Sequence, residues 1–357
     1  MKKSLALLLA LGMTLTCFTG CGVKEEAKTE TSKNGNEAEE VVEEIAKETD
    51  TLVVYSPAPE AMLTMIIQEF QDRTGVKVEL VQAGSGELFT RIESESANPL
   101  ADIMFGGGAE AAESYKDYLQ AYESTELSNI ADEYKSDDNT WTGVFVSPTA
   151  IMYNKDLVPE NEVPSGWSDF GDAKWKGKIA FADPASSGSS YTTLTIMLSA
   201  MAKGDTDNGW DFIRSYVDTL DGNILSSSSA PHKGTADGEY AMCITQEQAI
   251  LNYIVAGAQN VGIVYPEEGT GAIPSTVAIV KGAPNEANAQ KFVDFVLSAE
   301  VQAKLPESLY HCVRTDIQEE GEFAPISEIK MTDFDFLEAA KNKDENIQKW
   351  NDIVIGK

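Results

Sequence analysis

Histidine is scarce in this sequence, with His232 and His311 as the two copies among 357 residues. A Ser/His/Asp triad would need one of them, and a zinc site built from several histidines lacks enough ligands. The chain also lacks the Gly-x-x-x-x-Gly-Lys-Ser/Thr, Gly-x-Ser-x-Gly and His-Glu-x-x-His sequences that mark P-loop enzymes, hydrolases and zinc proteases. We therefore predict a non-catalytic protein without a metal or other cofactor.

Basic side chains are also few, 27 against 58 acidic ones, and the net charge is −31. A protein this acidic is a poor partner for nucleic acid, so we exclude that function class. The composition, 42% hydrophobic and 24% charged, is typical of a globular protein. The length is enough for about two domains of roughly 150 residues each.

Long hydrophobic runs are missing apart from residues 5–15, which are shorter than the roughly 20 residues that span a bilayer. This run follows Lys2 and Lys3, so residues 1–20 are predicted to be a signal peptide. Residues 18–22, Phe-Thr-Gly-Cys-Gly, resemble a bacterial lipobox, with Phe18 where Leu is usual. We expect Cys21 to carry lipid and to anchor the chain on the outer face of the cytoplasmic membrane; simple secretion is the alternative.

Residues 21–50 have almost no large apolar side chains, and residues 22–50 hold ten acidic residues and four lysines. Such a segment cannot bury enough surface to offset its chain entropy, so we predict a flexible tether. Cys17 would leave with the signal peptide. Cys243 and Cys312 then remain, either as a disulfide or as two buried thiols.

The remaining chain alternates strand and helix patterns. Residues 51–55 are an apolar β-branched run, residues 62–70 have helical spacing up to Thr74-Gly75, and residues 76–80 alternate as a second strand. The same pattern returns later, with strands predicted at 177–182, 223–229, 240–245 and 277–280. We predict an α/β protein with two lobes, residues 51–147 plus 272–357 and residues 148–271, each a mixed, mainly parallel sheet flanked by helices. The chain would cross between the lobes near 146–153 and 264–276, forming a two-strand hinge.

Several predicted strands end in small or hydroxyl-bearing residues, where open α/β sheets bind ligands. The loop at residues 186–190, Ser-Ser-Gly-Ser-Ser, precedes a predicted helix. Free N–H groups and the helix dipole favour an anion at that position. The alternative is that these serines only cap the helix and turn the chain.

Four segments carry a resemblance to a known family: residues 54–57, residues 83–88, residues 177–184 and the serine-rich loop that follows them. Together they resemble the extracellular solute-binding proteins of ABC importers, in the branch often labelled ferric-iron-binding, in order from about residue 51 to 310. This resemblance implies a two-lobed type 2 periplasmic-binding fold that closes on its ligand and passes it to an ABC permease. We expect a monomer in that role.

The iron-binding pattern of that branch is incomplete here. Its members typically carry His where this chain has Pro59, and a Tyr-Tyr pair where it has the sequence Thr-Gln-Glu-Gln at residues 245–248. The resemblance therefore implies a small anionic solute, a phosphorylated sugar or a phosphonate. Ferric iron is the alternative, with Tyr55, Tyr191 and Tyr265 as available phenolates, and a secreted enzyme acting on phosphate esters is a further rival.

The predicted solute site draws on both lobes, and Glu247 would accept hydrogen bonds from sugar hydroxyls or an ammonium group. The first lobe would supply Ser56, Ser85, Gly106, Gly107 and Gly108. The second lobe would supply Ser186, Ser187, Gly188, Ser189, Ser190, Ser228, Ser229, His232, Thr245 and Glu247.

Overall fold

The structure of the protein is a computed structural model that describes residues 50–320 and 323–356. The strands are β1 Thr51–Ser56, β2 Lys77–Gln82, β3 Ile103–Gly108, β4 Leu119–Gln120, β5 Thr142–Val146, β6 Thr149–Asn154, β7 Ile179–Ala182, β8 Ile224–Leu225, β9 Met242–Gln246, β10 Val261–Val264, β11 Ser275–Val280 and β12 His311–Cys312. The helices are α1 Glu60–Thr74, α2 Ser85–Ser94, α3 Ala109–Ser114, α4 Gly188–Ala202, α5 Thr206–Leu220, α6 Ser229–Asp237, α7 Glu247–Val255, α8 Glu286–Leu297, α9 Ala299–Gln302, α10 Phe336–Lys341 and α11 Lys343–Ile355. The predicted α/β class is confirmed. Within the described ranges, none of these helices combines the length and apolarity needed to cross a bilayer.

The first β-α-β unit follows the predicted pattern. Helix α1 buries Met62, Ile66 and Phe70 on one side, at helical spacing. It ends at Gly75, whose φ of 72° is left-handed backbone that glycine adopts without a Cβ clash. The chain then enters β2, which pairs in parallel with β1.

The first sheet has the order β12-β5-β11-β3-β1-β2, and β4 pairs with β11 at the side. Pairs β1·β2 and β1·β3 are parallel, whereas β11 is antiparallel to β3, β4 and β5, and β12 is antiparallel to β5. The sheet is mixed as predicted, but antiparallel pairs predominate in it. The reason is that β11 enters from the other lobe and runs against its neighbours.

The second sheet has the order β10-β6-β9-β7-β8. Strand β7 is parallel to β8 and β9, whereas β6 is antiparallel to β9 and β10. The prediction of a strand over residues 223–229 is wrong after Leu225, since the serines lead into helix α6.

Two crossings join the sheets, close to the predicted positions. The first runs from β5 to β6 through residues 147–148, and the second runs from β10 to β11 through residues 265–274. The second crossing is bonded to the first residue of β6, directly after the first crossing: Thr270 Oγ1 donates to the carbonyl oxygen of Thr149 at 2.6 Å, and the Thr149 N–H donates to Gly271 O at 3.0 Å. This doubly connected segment is the hinge.

The C-terminal helix α11 packs with the second lobe. Trp350 and Ile353 lie in the same buried cluster as Phe181 and Tyr216, which belong to the second lobe. The sequence-based prediction places all of residues 272–357 in the first lobe. That prediction is wrong for α11, which packs on the second lobe. Helix α10 contacts both lobes, through α3 of the first lobe and α4 of the second.

Candidate functional site

The strand registers place the carboxyl ends of the parallel strands of both sheets at the hinge. In the first sheet, Ser275 at the start of β11 pairs with Gly108 at the end of β3 and with Phe145 near the end of β5. In the second sheet, Thr149 at the start of β6 pairs with Gln246 at the end of β9. Both edges at which α/β sheets bind ligands are therefore adjacent to the crossings.

The site residues predicted for the first lobe lie close together. Ser56 is fully buried; its hydroxyl donates to Phe105 O at 2.6 Å and accepts from the Ala58 N–H at 3.1 Å. Gly107 has φ +86°, and a Cβ there would lie 3.0 Å from Ser85 Oγ. The glycine loop and Ser85 thus share one surface, while Ser56 ties the end of β1 to the middle of β3.

Glu110 follows the glycine loop and was not predicted as a site residue. Its carboxyl lies against Gly108, where an added Cβ would clash with Oε2. Burial raises the pKa of Glu110, and hydrogen bonds from the backbone N–H groups of Glu110 and Ala111 oppose that rise. The Oε2 atom of Glu110 has no hydrogen-bond partner among the described residues. A carboxyl therefore already fills the start of α3. An acidic residue in the first turn after three glycines was the available sequence signal.

The second-lobe serine loop forms the start of α4. Ser187 is the N-cap, and its hydroxyl accepts from the Ser190 N–H at 3.2 Å and lies 3.2 Å from Ser189 Oγ. Ser186 donates to Ser226 O at 3.2 Å, which joins this loop to the second serine run. Ser187 therefore caps the helix, a role that is compatible with anion binding at the same helix start. The cap leaves the first N–H groups of the helix, at residues 188 and 189, without intrahelical partners.

Ser228, Ser229 and His232 lie at and just inside the start of α6. Ser229 Oγ is 3.0 Å from Ser227 Oγ, and both Ser228 and Ser229 are exposed. His232 Nδ1 is 3.1 Å from the Tyr253 hydroxyl, and burial lowers the pKa of His232. Neutral at pH 7, His232 would bring a hydrogen bond rather than a positive charge to a solute.

Thr245 and Glu247 flank the end of β9. Thr245 is partly exposed and pairs with Ala150 across the sheet. Glu247 is fully buried, with one carboxylate oxygen accepting from the Tyr265 hydroxyl and the other 2.7 Å from His311 Nε2. The expectation that Glu247 accepts hydrogen bonds from a solute is not met by this geometry, because the hinge uses both of its oxygens.

The three tyrosines considered for ferric iron each donate to a different partner. Tyr55 donates to Glu95 Oε2 at 3.0 Å, Tyr191 to the carbonyl oxygen of Ala339, and Tyr265 to Glu247. Burial, with the Glu95 hydrogen bond, raises the pKa of Tyr55 to about 12. No group of three or more His, Cys, Asp and Glu side chains in residues 50–320 and 323–356 is arranged to hold a metal ion.

The C-terminal helices add a cation that the sequence did not indicate. Lys343 Nζ lies 5.5 Å from the centre of the ring of Tyr191, the residue that follows the serine loop. Its charge also lowers the pKa of Glu110 in the other lobe, although burial dominates there. Lys343 therefore lies near the predicted ligand loops of both lobes, a placement that only the folded chain reveals.

Cys243 and Cys312 are separate buried thiols in this structure. Burial raises the pKa of each to about 12. The sequence allowed either a disulfide or two buried thiols, and the structure has two buried thiols. Cys21 and the tether lie outside the described residues, apart from Asp50.

Comparison with known proteins agrees with this architecture. Residues 65–328 match the family described as bacterial extracellular solute-binding protein. Iron uptake protein A1 of Synechocystis sp. is 27% identical over 87% of this chain and 86% of its own length. A putative 2-aminoethylphosphonate-binding periplasmic protein of Salmonella typhimurium is 25% identical over 80% of this chain and 85% of its own.

A solved structure is similar over nearly its whole length. The periplasmic binding protein AfuA from Actinobacillus pleuropneumoniae, with exogenous fructose-6-phosphate bound, has 28% identity and a TM-score of 0.70, covering 85% of this chain and 98% of AfuA. This neighbour supports the type 2 periplasmic-binding fold. With a family match over most of the body and two sheets joined by a double crossing, this chain belongs to the bacterial extracellular solute-binding proteins, the binding components of ABC importers.

Proposed function

We propose that this protein captures a small solute bearing a phosphate or phosphonate group between its lobes and passes it unchanged to an ABC permease. The observation that carries the proposal is the start of α4, where Ser187 caps the helix and four further residues of the loop are Ser or Gly. Such a start offers backbone N–H and hydroxyl donors together with the positive end of the helix dipole.

The charges around the loops favour one orientation of the solute. The Glu110 carboxyl occupies the start of α3, so an anion would meet like charge there whenever that carboxyl is ionised. The start of α4 has no acidic residue in its first turn, and Lys343 lies beside Tyr191. The anionic group would therefore bind the second lobe, with the rest of the solute directed towards Ser85 and the glycine loop.

Two relatives support this solute class. AfuA was solved with fructose-6-phosphate, and the Salmonella relative is described as binding 2-aminoethylphosphonate. Both solutes combine a phosphorus oxyanion with a polar remainder. Relatives of this kind are transport binding proteins, which agrees with binding without turnover.

Ferric iron is the second candidate, and the similarity to iron uptake protein A1 favours it. A hard ferric ion prefers several oxyanionic ligands. The three tyrosines considered above each donate to a different partner, so they would have to rearrange to coordinate one ion together. We therefore place phosphate-bearing solutes first.

The decisive variant is Ser187→Asp, compared with Ser187→Asn. Both Asp and Asn are good N-caps, so each keeps the start of α4 folded. Asp adds a negative charge where the anion would bind; we expect it to abolish binding of fructose 6-phosphate and 2-aminoethylphosphonate, and Asn to keep affinity within a few-fold. Isothermal titration calorimetry with both solutes measures this. Equal affinity of Ser187→Asp and the parent for a solute would show that the serine loop is only a helix cap.

Native mass spectrometry of the purified protein separates the two solute classes. A retained organic phosphate and a retained ferric ion add different masses, and ferric phenolate binding also gives a visible colour. A stoichiometric, coloured iron complex that persists in phosphate-free buffer would overturn the preference for phosphorylated solutes.

A further inference from the structure

A buried run of hydrogen bonds crosses the hinge. The Tyr265 hydroxyl donates to Glu247 Oε1, Glu247 Oε2 is 2.7 Å from His311 Nε2, and His311 Nδ1 is 2.8 Å from Glu319 Oε2. The side chains of Glu247 and His311 are 0% exposed, and that of Glu319 is 6% exposed. We call these four residues the hinge network.

The members of the hinge network come from both lobes. His311 begins β12 and pairs with Val146, the last residue of β5 before the first crossing. Glu247 begins α7 at the end of the second sheet, and its N–H donates to Pro148 O within that crossing. Tyr265 opens the second crossing. The hinge network thus contacts both crossings and joins each crossing to the first sheet.

Glu319 is held rigidly on the first-lobe side. Its carboxylate accepts from the Cys312 N–H at 2.7 Å and from the Ile326 N–H at 2.8 Å, in addition to His311. The imidazole of His311 therefore connects an acceptor fixed in one lobe with an acceptor fixed in the other.

The geometry sets the charge on His311. An ionised carboxylate only accepts hydrogen bonds, and a neutral imidazole has one donor nitrogen. With a carboxylate oxygen facing each ring nitrogen, both nitrogens must donate, which requires the imidazolium ion. Burial alone would lower the pKa of His311, but the hydrogen bonds and charges of Glu247 and Glu319 raise it to about 9.

We propose that His311 is a positioning residue whose imidazolium links Glu247 of the second lobe to Glu319 of the first and thereby fixes the angle between the lobes. Loss of the proton would remove one of the two bridging hydrogen bonds and leave two buried carboxylates without their shared cation. The lobes would then be held less firmly. This inference concerns the hinge and does not depend on which solute is bound.

Among residues 50–320 and 323–356, the charges that act on His311 and Glu319 include no second cation that could replace the imidazolium. Tyr265 donates to Glu247, the Cys312 thiol is neutral with its pKa raised by burial to about 12, and burial together with the charge of nearby Glu133 and Glu319 raises the pKa of Tyr134. Arg314, two residues along the chain from Cys312, forms ion pairs with Asp316 and Glu126 instead. His311 is therefore the charge on which the hinge network depends.

The pH window follows from the two shifted groups. His311 has a folded-state pKa above its unfolded value of about 6.5, so its contribution is complete below that value and is lost as pH rises through about 9. Burial raises the pKa of Glu319, but its hydrogen bonds, led by that from His311, outweigh this and lower it, so its contribution is lost as pH falls through its depressed pKa. The hydrogen-bonded link between the lobes is therefore strongest between the depressed pKa of Glu319 and the raised pKa of His311.

The first test uses the fact that the chain has two histidines. Nuclear magnetic resonance of the full chain labelled at histidine gives two imidazole signals, and the His232→Gln variant identifies the one from His311. We expect the His311 signal to keep imidazolium shifts through pH 7.5 and to titrate near 9, with the His232 signal titrating below about 6.5. A neutral His311 at pH 7 would overturn the proposal.

The second test measures the lobes themselves. Small-angle scattering of the parent, His232→Gln and His311→Gln proteins at pH 7.5 and pH 10 gives the radius of gyration of each. We expect the parent and His232→Gln to expand at pH 10, and His311→Gln to be expanded at both values. The proposal fails if His311→Gln matches the parent in size at pH 7.5 and in its pH response. Should His311→Gln not fold, the titration of the parent protein still decides.

Discussion

At the scale of single residues, the first-lobe loop depends on backbone conformations that side chains rarely adopt. Gly106 and Gly107 have φ values of +91° and +86°, in the left-handed region. Their neighbours are close, since a Cβ on Gly106 would lie 3.3 Å from Pro57 Cδ and one on Gly107 would lie 3.0 Å from Ser85 Oγ. Glycine is therefore the residue that lets this loop carry the end of β3 to the hinge without backbone strain.

This predicts that Gly107→Ala destabilises the protein by about 1–3 kcal/mol, from backbone strain and contact with Ser85. Urea unfolding followed by circular dichroism measures the change. Gly86→Ala is the matched control, because Gly86 lies in α2 with ordinary φ and no atom within 4 Å of an added Cβ. That control should stay within about 1 kcal/mol of the parent, in the stabilising direction. Equal effects of the two variants would contradict the argument.

At the scale of elements, helix α11 supports the second lobe. Trp350 is 1% exposed, its ring lies 5.9 Å from that of Phe181, and its indole N–H donates to Asp183 Oδ1 at 3.2 Å. Asp183 lies three residues before the serine loop and also accepts from the Ala185 N–H at 3.0 Å. The helix therefore contributes both to the core and to the support of the predicted solute loop, although it lies beyond the part that matches the family, residues 65–328.

We expect Trp350→Ala to cost about 3–5 kcal/mol of unfolding free energy, since it removes a large buried side chain. Ile355→Ala, five residues along the same helix, serves as the control because Ile355 is 81% exposed. Its effect should stay within about 0.5 kcal/mol. Chemical unfolding curves of both variants give the comparison. A small effect of Trp350→Ala would mean that α11 is only loosely docked.

At the scale of the whole molecule, the sequence assigns three parts: a signal peptide, an acidic tether and a two-lobed body. The net charge of −31 is shared by the predicted tether and the body, both of which carry an excess of acidic residues. The predicted tether would let that body reach a permease if Cys21 carries the predicted lipid anchor.

The anchoring prediction is tested by Cys21→Ala. Without the lipidated cysteine, we expect the protein to appear in the medium or periplasm, whereas the parent should sediment with membranes. Cell fractionation followed by immunoblotting measures the distribution, with Cys243→Ala as the control since that thiol is buried in the second lobe. Retention of Cys21→Ala at the membrane to the parent's extent would refute lipid anchoring.

The sequence by itself determined the α/β class, most of the central strands and helices, and the place of both crossings. These features depend on local periodicity and on glycine and proline positions, as in β1, α1 and Gly75, where neighbours in sequence decide the conformation. The serine loop was also recognisable, because a helix start and its cap lie within a few residues of each other.

The tertiary structure alone decided what meets across long separations in sequence. It placed Glu247 beside His311, which is 64 residues away, and moved Glu247 from the predicted solute site into the hinge. It also brought Lys343 to Tyr191 and put α11 on the second lobe. Such contacts depend on how the two sheets pack and connect, and periodicity or local motifs carry no information about them.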